Sequence, residues 1–144
     1  MILADVQSIE ACLPLARDML SRIEAILPIP RSITGEGVRR TLGELSRTVP
    51  IETSEIPTGT RIFDWEVPRE WNLREAYIAD RNGRRIVDTA RHNLHVMSYS
   101  VPIRLRMSRT ELDAHLYSLP GQPDWIPHRA SYYNDNWGFC LSHR

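Results

Sequence analysis

Five histidines, two cysteines and scattered carboxylates are the groups in this 144-residue chain that could hold a metal or move a proton. His92 and His95 stand three apart in His92-Asn93-Leu94-His95. On a helix they would share a face and could grip a metal; in a strand they would point opposite ways. The flanking Val96, Met97 and Tyr99 favour a loop leading into a strand. No third ligand is evident, so no metal site is expected there. His115 follows Asp113 on a short helical stretch and reads as solvated, while His128 follows Pro127 in a loop. Cys12 and Cys140 lie far apart in unlike contexts and read as two buried free thiols. Cys140 sits between Phe139 and Leu141, a setting that raises a thiol pKa and makes it inert. No serine occupies a Gly-x-Ser-x-Gly elbow. Asp64 and Glu66 share one face of an extended stretch and could form an acid–base pair, but a solvated strand face explains them better. Trp125, Tyr132, Tyr133 and Trp137 could stack on a sugar or a peptide side chain, although the aromatic core of a small β module is the plainer account. Gly35 and Gly37 could bring backbone N–H groups to an anion at a helix start; with no strand before them they read as an ordinary helix start.

The elements that must position these groups follow from periodicity. Ile9, Leu13, Ala16, Leu20, Ile23 and Leu27 step by three and four, one stripe of an amphipathic helix. Pro14 suits the first residue of a second helical piece. Thr34 is the expected N-cap of a second helix, with Glu36 in its first turn and Val38, Leu42, Leu45 and Val49 at helical spacing; Pro50 stops it. The period then changes to two. Residues 51–56, 61–67, 71–79, 94–101 and 103–107 read as strands. Phe63, Trp65 and Val67 would share the buried face of the second of these and seed a β core. Residues 57–60 form a turn, and Asn82-Gly83 marks a tight type I′ hairpin with residues 84–87 as the returning arm. Ser108-Arg109-Thr110-Glu111 is a capping box opening a short helix, with Leu112 and Leu116 as its buried pair. Residues 120–127, with three prolines, form an ordered loop. Residues 137–141 are the last strand. The fold class is α+β.

Composition bounds the function. Hydrophobic residues make up 42%, enough for a folded core. All 18 basic residues are arginine and 18 acidic residues balance them, which argues against a broad nucleic-acid footprint. No apolar run is long enough to span a bilayer. Asp5 and Glu10 leave no basic n-region, so a secretory signal is not expected and the chain reads as cytoplasmic. The shift from helices to strands near Pro50 is the best boundary. Taken alone, the residues describe a soluble α+β protein with no visible catalytic set.

Three stretches together resemble one bacterial family: Pro30-Arg31-Ser32-Ile33-Thr34-Gly35-Glu36-Gly37-Val38-Arg39, Phe63-Asp64-Trp65-Glu66-Val67-Pro68-Arg69-Glu70-Trp71, and Ser131-Tyr132-Tyr133-Asn134-Asp135-Asn136-Trp137-Gly138-Phe139-Cys140-Leu141-Ser142. Asn93 to Pro102 and His115 to Pro120 fit the same pattern. The family is that of the zinc aminopeptidase-like proteins, and the resemblance covers nearly all the chain from Leu20 on. It implies a two-zinc exopeptidase-like α/β domain interrupted by an inserted β-rich module. Residues 1–56 would supply the helical opening and first strand of the aminopeptidase-like domain, and 57–144 the inserted module. The family's metal ligands lie in a His-x-Cys-His-Pro segment and in further acids and a histidine, none of which this sequence contains. Asn134-Asp135-Asn136 lacks that context, so no metal role passes to Asp135. Pro30 stands where many relatives carry cysteine.

The resemblance therefore implies the N-terminal part of a zinc-dependent aminopeptidase-like hydrolase, inactive without the metal-binding half. Zinc would belong to the full-length family and would not be bound by this chain. The alternative is a non-catalytic binding module for a peptide, sugar or protein partner. No catalytic residue is assigned. Arg31 and Thr34, in the loop running to Gly37, and Tyr133 and Trp137, in the aromatic loop, are the candidate substrate-binding residues. The partner expected for the complete protein is a peptide-like or small-molecule substrate, with no nucleic acid and no membrane. The stripe of Ile9, Leu20 and Leu27 lacks cover, so self-association is expected.

Overall fold

The computed structural model describes residues 9–144; Asp5, on which the reading of the N-terminus partly rests, lies outside them. Helix α1 (Ile9–Ile26) runs straight through Pro14. A proline can remove only the one hydrogen bond its own N–H would make, here to the carbonyl of Glu10, and the turns around it carry the helix on. Pro14 thus lies inside one helix and does not begin a second piece. The apolar stripe is real but uncovered: Leu13, Leu20, Ile23 and Leu27 are all exposed, and no described residue of α1 is buried. Helix α1 packs against α2 (Glu36–Ser46). No helix among the described residues is long and apolar enough to cross a membrane.

The N-cap of α2 is Gly35, at φ 93°, not Thr34. The first-turn N–H of Glu36 finds its acceptor in trans, the Asn72 side-chain Oδ1 at 2.6 Å. A Cβ on Gly35 would sit 2.5 Å from the Trp71 carbonyl oxygen. Glycine is therefore required both by the left-handed backbone and by the close approach of a neighbouring segment.

After α2 the chain makes three two-stranded sheets in place of longer strands. Strands β1 (Arg61–Ile62) and β2 (Trp65–Glu66) form a hairpin pairing Ile62 with Trp65. The expected continuous strand over 61–67 is thus folded back on itself at Phe63 and Asp64. The expected β core around Phe63 and Trp65 does not form either, since both are exposed. Strands β3 (Tyr77–Ala79) and β4 (Arg85–Asp88) are the expected hairpin, with a different turn. Gly83 alone has positive φ, the Gly83 N–H donates to Asp80 O, and Asp80 Oδ1 accepts from the Asn82 and Arg84 N–H groups. That is a type I turn with a glycine bulge, chosen because the Asp80 carboxylate ties the loop internally. Residues 51–56 and 103–107 form no ladder. Residues 94–101 divide into a 3₁₀ turn (Asn93–His95) and single bridges, since Tyr99 at φ 65° breaks the extended backbone.

The buried centre lies where residues 96–98 cross the end of the chain. Strand β6 (Phe139–Cys140) runs parallel to β5 (Leu116–Tyr117) on one side and bridges Val96 in antiparallel fashion on the other. Val96, Met97, Phe139 and Cys140 are buried, with Cys140 0% exposed. The capping box is present: Ser108 Oγ accepts from the Glu111 N–H, and Glu111 accepts from the Ser108 N–H, opening α3 (Arg109–Asp113). Leu112 and Leu116 are only half-buried, and Leu116 belongs to β5 and not to the helix.

Candidate functional site

Trp71, Tyr99 and Tyr133 meet at the junction between the helices and the later segments. The Trp71 indole N–H donates to the Ser100 carbonyl at 3.1 Å, and its ring lies 6.1 Å from that of Tyr99. The Tyr133 ring packs edge-on against Tyr99 at 4.8 Å, the favoured aromatic geometry. Tyr99 OH and Thr34 Oγ1 share a hydrogen bond of 3.0 Å, reaching back across 65 positions of sequence. Ser131 Oγ donates to the Tyr99 carbonyl at 3.1 Å, holding the strained residue in place. Burial pushes the Tyr133 phenol up, and its neighbour Tyr99 adds to the shift.

The same junction is closed by charge. Arg39 of α2 binds Glu55 at 2.6 Å and also pairs with Glu70, while Glu36 lies 3.9 Å away. The guanidinium holds the Glu70 carboxyl below its ordinary value, and the carboxylates push Arg39 further up. Asn93 Nδ2 donates to the Leu27 carbonyl at 2.7 Å, tying the end of α1 to the later segments.

Of the four candidate substrate-binding residues, Thr34 and Tyr133 come together around Tyr99 and the other two do not. Arg31 is exposed and donates to the carbonyls of Ile26 and Ile29, capping the end of α1. Trp137 stacks on His115 at 3.6 Å with 11° between the rings, and its carbonyl bonds to His115 Nδ1 at 3.0 Å. His115 is therefore packed and not a solvated surface group. The four aromatics suggested as a cluster are dispersed, and Trp125 and Tyr132 stand 63% and 77% exposed. Tyr99 carries no sequence signal, because nothing in a Ser-Tyr-Ser context marks a left-handed residue.

The chemistry available is hydrogen bonding and stacking. Cys140 is a free thiol pushed up by burial, while Cys12 is only half-buried. Ser118 Oγ lies 2.8 Å from His143 Nδ1; both are near the surface, and no carboxylate orients that ring among the described residues. The two spaced histidines are used locally: His92 Nδ1 accepts from the Leu94 N–H, and His95 Nδ1 meets the Cys140 carbonyl at 2.8 Å. Among the described residues no three His, Cys, Asp or Glu side chains are grouped to hold a metal ion. The donor set does not fit a zinc centre, which needs its ligands converged and deprotonated. A shallow groove between α1 and α2, lined by Ala25, Ile29, Arg40, Gly43, Glu44 and Arg47, carries no convergent reactive groups.

Comparison with known proteins places this chain in a family. Residues 70–144 match the profile of the domain of unknown function DUF2172, more than half of the chain. A protein of Clostridium acetobutylicum, provisionally named a polysaccharide biosynthesis protein with an aminopeptidase-like domain, is 46% identical over 125 residues. The match covers 87% of this chain and 29% of that protein. The 2.37 Å crystal structure of a Clostridium acetobutylicum protein, provisionally named a peptidase, shares the fold at TM-score 0.86 and 44% identity, across 90% of this chain and 31% of that one. The chain thus spans less than a third of the length of these relatives.

Proposed function

We propose, on the premise that this chain belongs to the DUF2172 family, that it forms the substrate-facing N-terminal part of a zinc-dependent aminopeptidase-like hydrolase. In this reading the zinc ligands and the catalytic groups are supplied by polypeptide other than these residues. The observation that supports it most is a fold held in common, across nine-tenths of the chain, with a protein provisionally named a peptidase. Residues 1–56 belong to the opening of the peptidase-like domain and 57–144 to a β-rich insertion. The polar ties of Asn72 to α2, Arg39 to Glu70 and Thr34 to Tyr99 fix one against the other. Thr34 and Tyr133 then present hydroxyls and an aromatic edge to a peptide-like substrate, positioning it without touching its chemistry.

A chimera tests this. The segment of the Clostridium acetobutylicum relative that matches this chain is replaced by it, and hydrolysis of leucyl-p-nitroanilide is measured with and without zinc. Zinc-dependent turnover is expected in relative and chimera alike, with KM raised by Tyr133→Ala in the chimera. A folded chimera that cleaves no aminoacyl substrate, beside an active relative, contradicts the proposal.

A further inference from the structure

Between Val101 and Ser108 the chain neither turns nor bends. The run is fixed at both ends: the Val101 N–H donates to the Asn136 carbonyl at 2.9 Å, and Ser108 opens the capping box of α3. Between those anchors the backbone N–H groups of residues 103–107 and the carbonyls of residues 102–107 meet no partner among the described residues. The side chains nonetheless alternate as in a strand, with Ile103, Leu105 and Met107 on one face and Arg104 and Arg106 on the other. Ile103 and Leu105 are 41% and 62% exposed. Neither arginine has an ion pair or a hydrogen bond among the described residues.

A straight run of open donors and acceptors takes up a second extended chain through backbone hydrogen bonds, and alternate side chains choose which one. The receiving strand is already ordered, so pairing costs only the ordering of the incoming chain. Charge then selects the occupant. A second copy of the same run is disfavoured: paired antiparallel about Leu105, it sets Arg104 opposite Arg106 twice over, and like charges directly opposite destabilise a ladder. A strand with carboxylates at alternate positions instead neutralises both guanidiniums, and its apolar residues cover Ile103 and Leu105. A phosphate-rich surface would engage the two arginines and leave the backbone groups and the apolar face unused.

We propose that residues 103–107 are a strand-addition site for an extended peptide segment in which acidic and apolar residues alternate. The hydrolytic reading makes no use of these residues, so the two fail separately. The test is anisotropy titration of the 144-residue chain with a short fluorescein-labelled peptide alternating glutamate and valine. Its controls are an arginine–valine peptide, the glutamate–valine sequence N-methylated throughout, and phosphatidylglycerol vesicles. Saturable binding of the glutamate peptide is expected, weakened roughly tenfold or more by N-methylation, which removes the backbone donors. Hydrogen exchange at the amides of residues 103–107 should slow when that peptide is added. Arg104→Glu with Arg106→Glu should leave the thermal midpoint level, since neither side chain has a partner to lose, and should exchange the preference for the arginine peptide. Four results would each overturn the proposal: no binding of the glutamate peptide, equal binding of its N-methylated form, unchanged binding by the charge-reversed variant, or binding of the vesicles in place of the peptide.

Discussion

Phe63→Gly should stabilise this protein. Phe63 occupies the first central position of the two-residue loop between β1 and β2, at φ 55°, and is 97% exposed. That position of a type II′ hairpin normally belongs to glycine. A left-handed conformation costs an ordinary residue about 1–2 kcal/mol. Glycine raises the entropy of the unfolded chain, which takes back about 0.4–1 kcal/mol. Almost no surface is buried by the ring, so nothing is lost there. The balance is a gain of about 0.5–1 kcal/mol, or a rise of roughly 1–4 °C in Tm for a chain of this size. Urea unfolding followed by circular dichroism, with the slope unchanged, gives the difference directly. A loss of stability in Phe63→Gly would refute the argument, because it would mean that the ring contributes to the fold despite its exposure.

Further expectations follow from the junction and from α1. Tyr99→Phe removes the bond to Thr34 and should cost about 0.5–1.5 kcal/mol by urea unfolding, whereas Tyr99→Ala also empties the space between Trp71 and Tyr133 and should cost about 3 kcal/mol or more. A carboxyl whose folded pKa is lowered stabilises above its unfolded value, near 4.5 for Glu70, and that stability is lost as pH falls through the folded value. Stability should therefore decline from about pH 5 downward, and Arg39→Met should flatten that decline in urea midpoints measured across the range. The uncovered stripe on α1 predicts self-association of this chain, seen as a concentration-dependent mass in light scattering, and Leu20→Glu with Ile23→Glu should abolish it.

The helices and the cap of α3 were legible in the sequence because their signals are local; the start of α2 was not, since its first-turn N–H finds Asn72, 36 positions away. Ser108 and Glu111 satisfy each other within one turn, and α2 follows its apolar spacing. The strands were not legible, because alternation measures the wish for a half-buried extended chain and does not say whether a partner exists. Residues 61–67 alternate well, yet a turn at Phe63 divides them. The grouping around Tyr99 was only partly legible. Thr34 and Tyr133 stand out in the sequence by type, but Tyr99, which joins them, makes its contacts only through long-range packing that leaves no periodic trace. Trp137 and Arg31 stand out by type as well, and the fold packs one on His115 and ties the other to the end of α1.

The proposed function has these residues positioning a substrate without transforming it. The direct test is zinc-supplemented hydrolysis of leucyl-p-nitroanilide by the purified 144-residue chain, with bound zinc quantified on the same sample. No turnover above the zinc-only blank and no stoichiometric zinc are expected. Zinc-dependent turnover carried by this chain alone would contradict it.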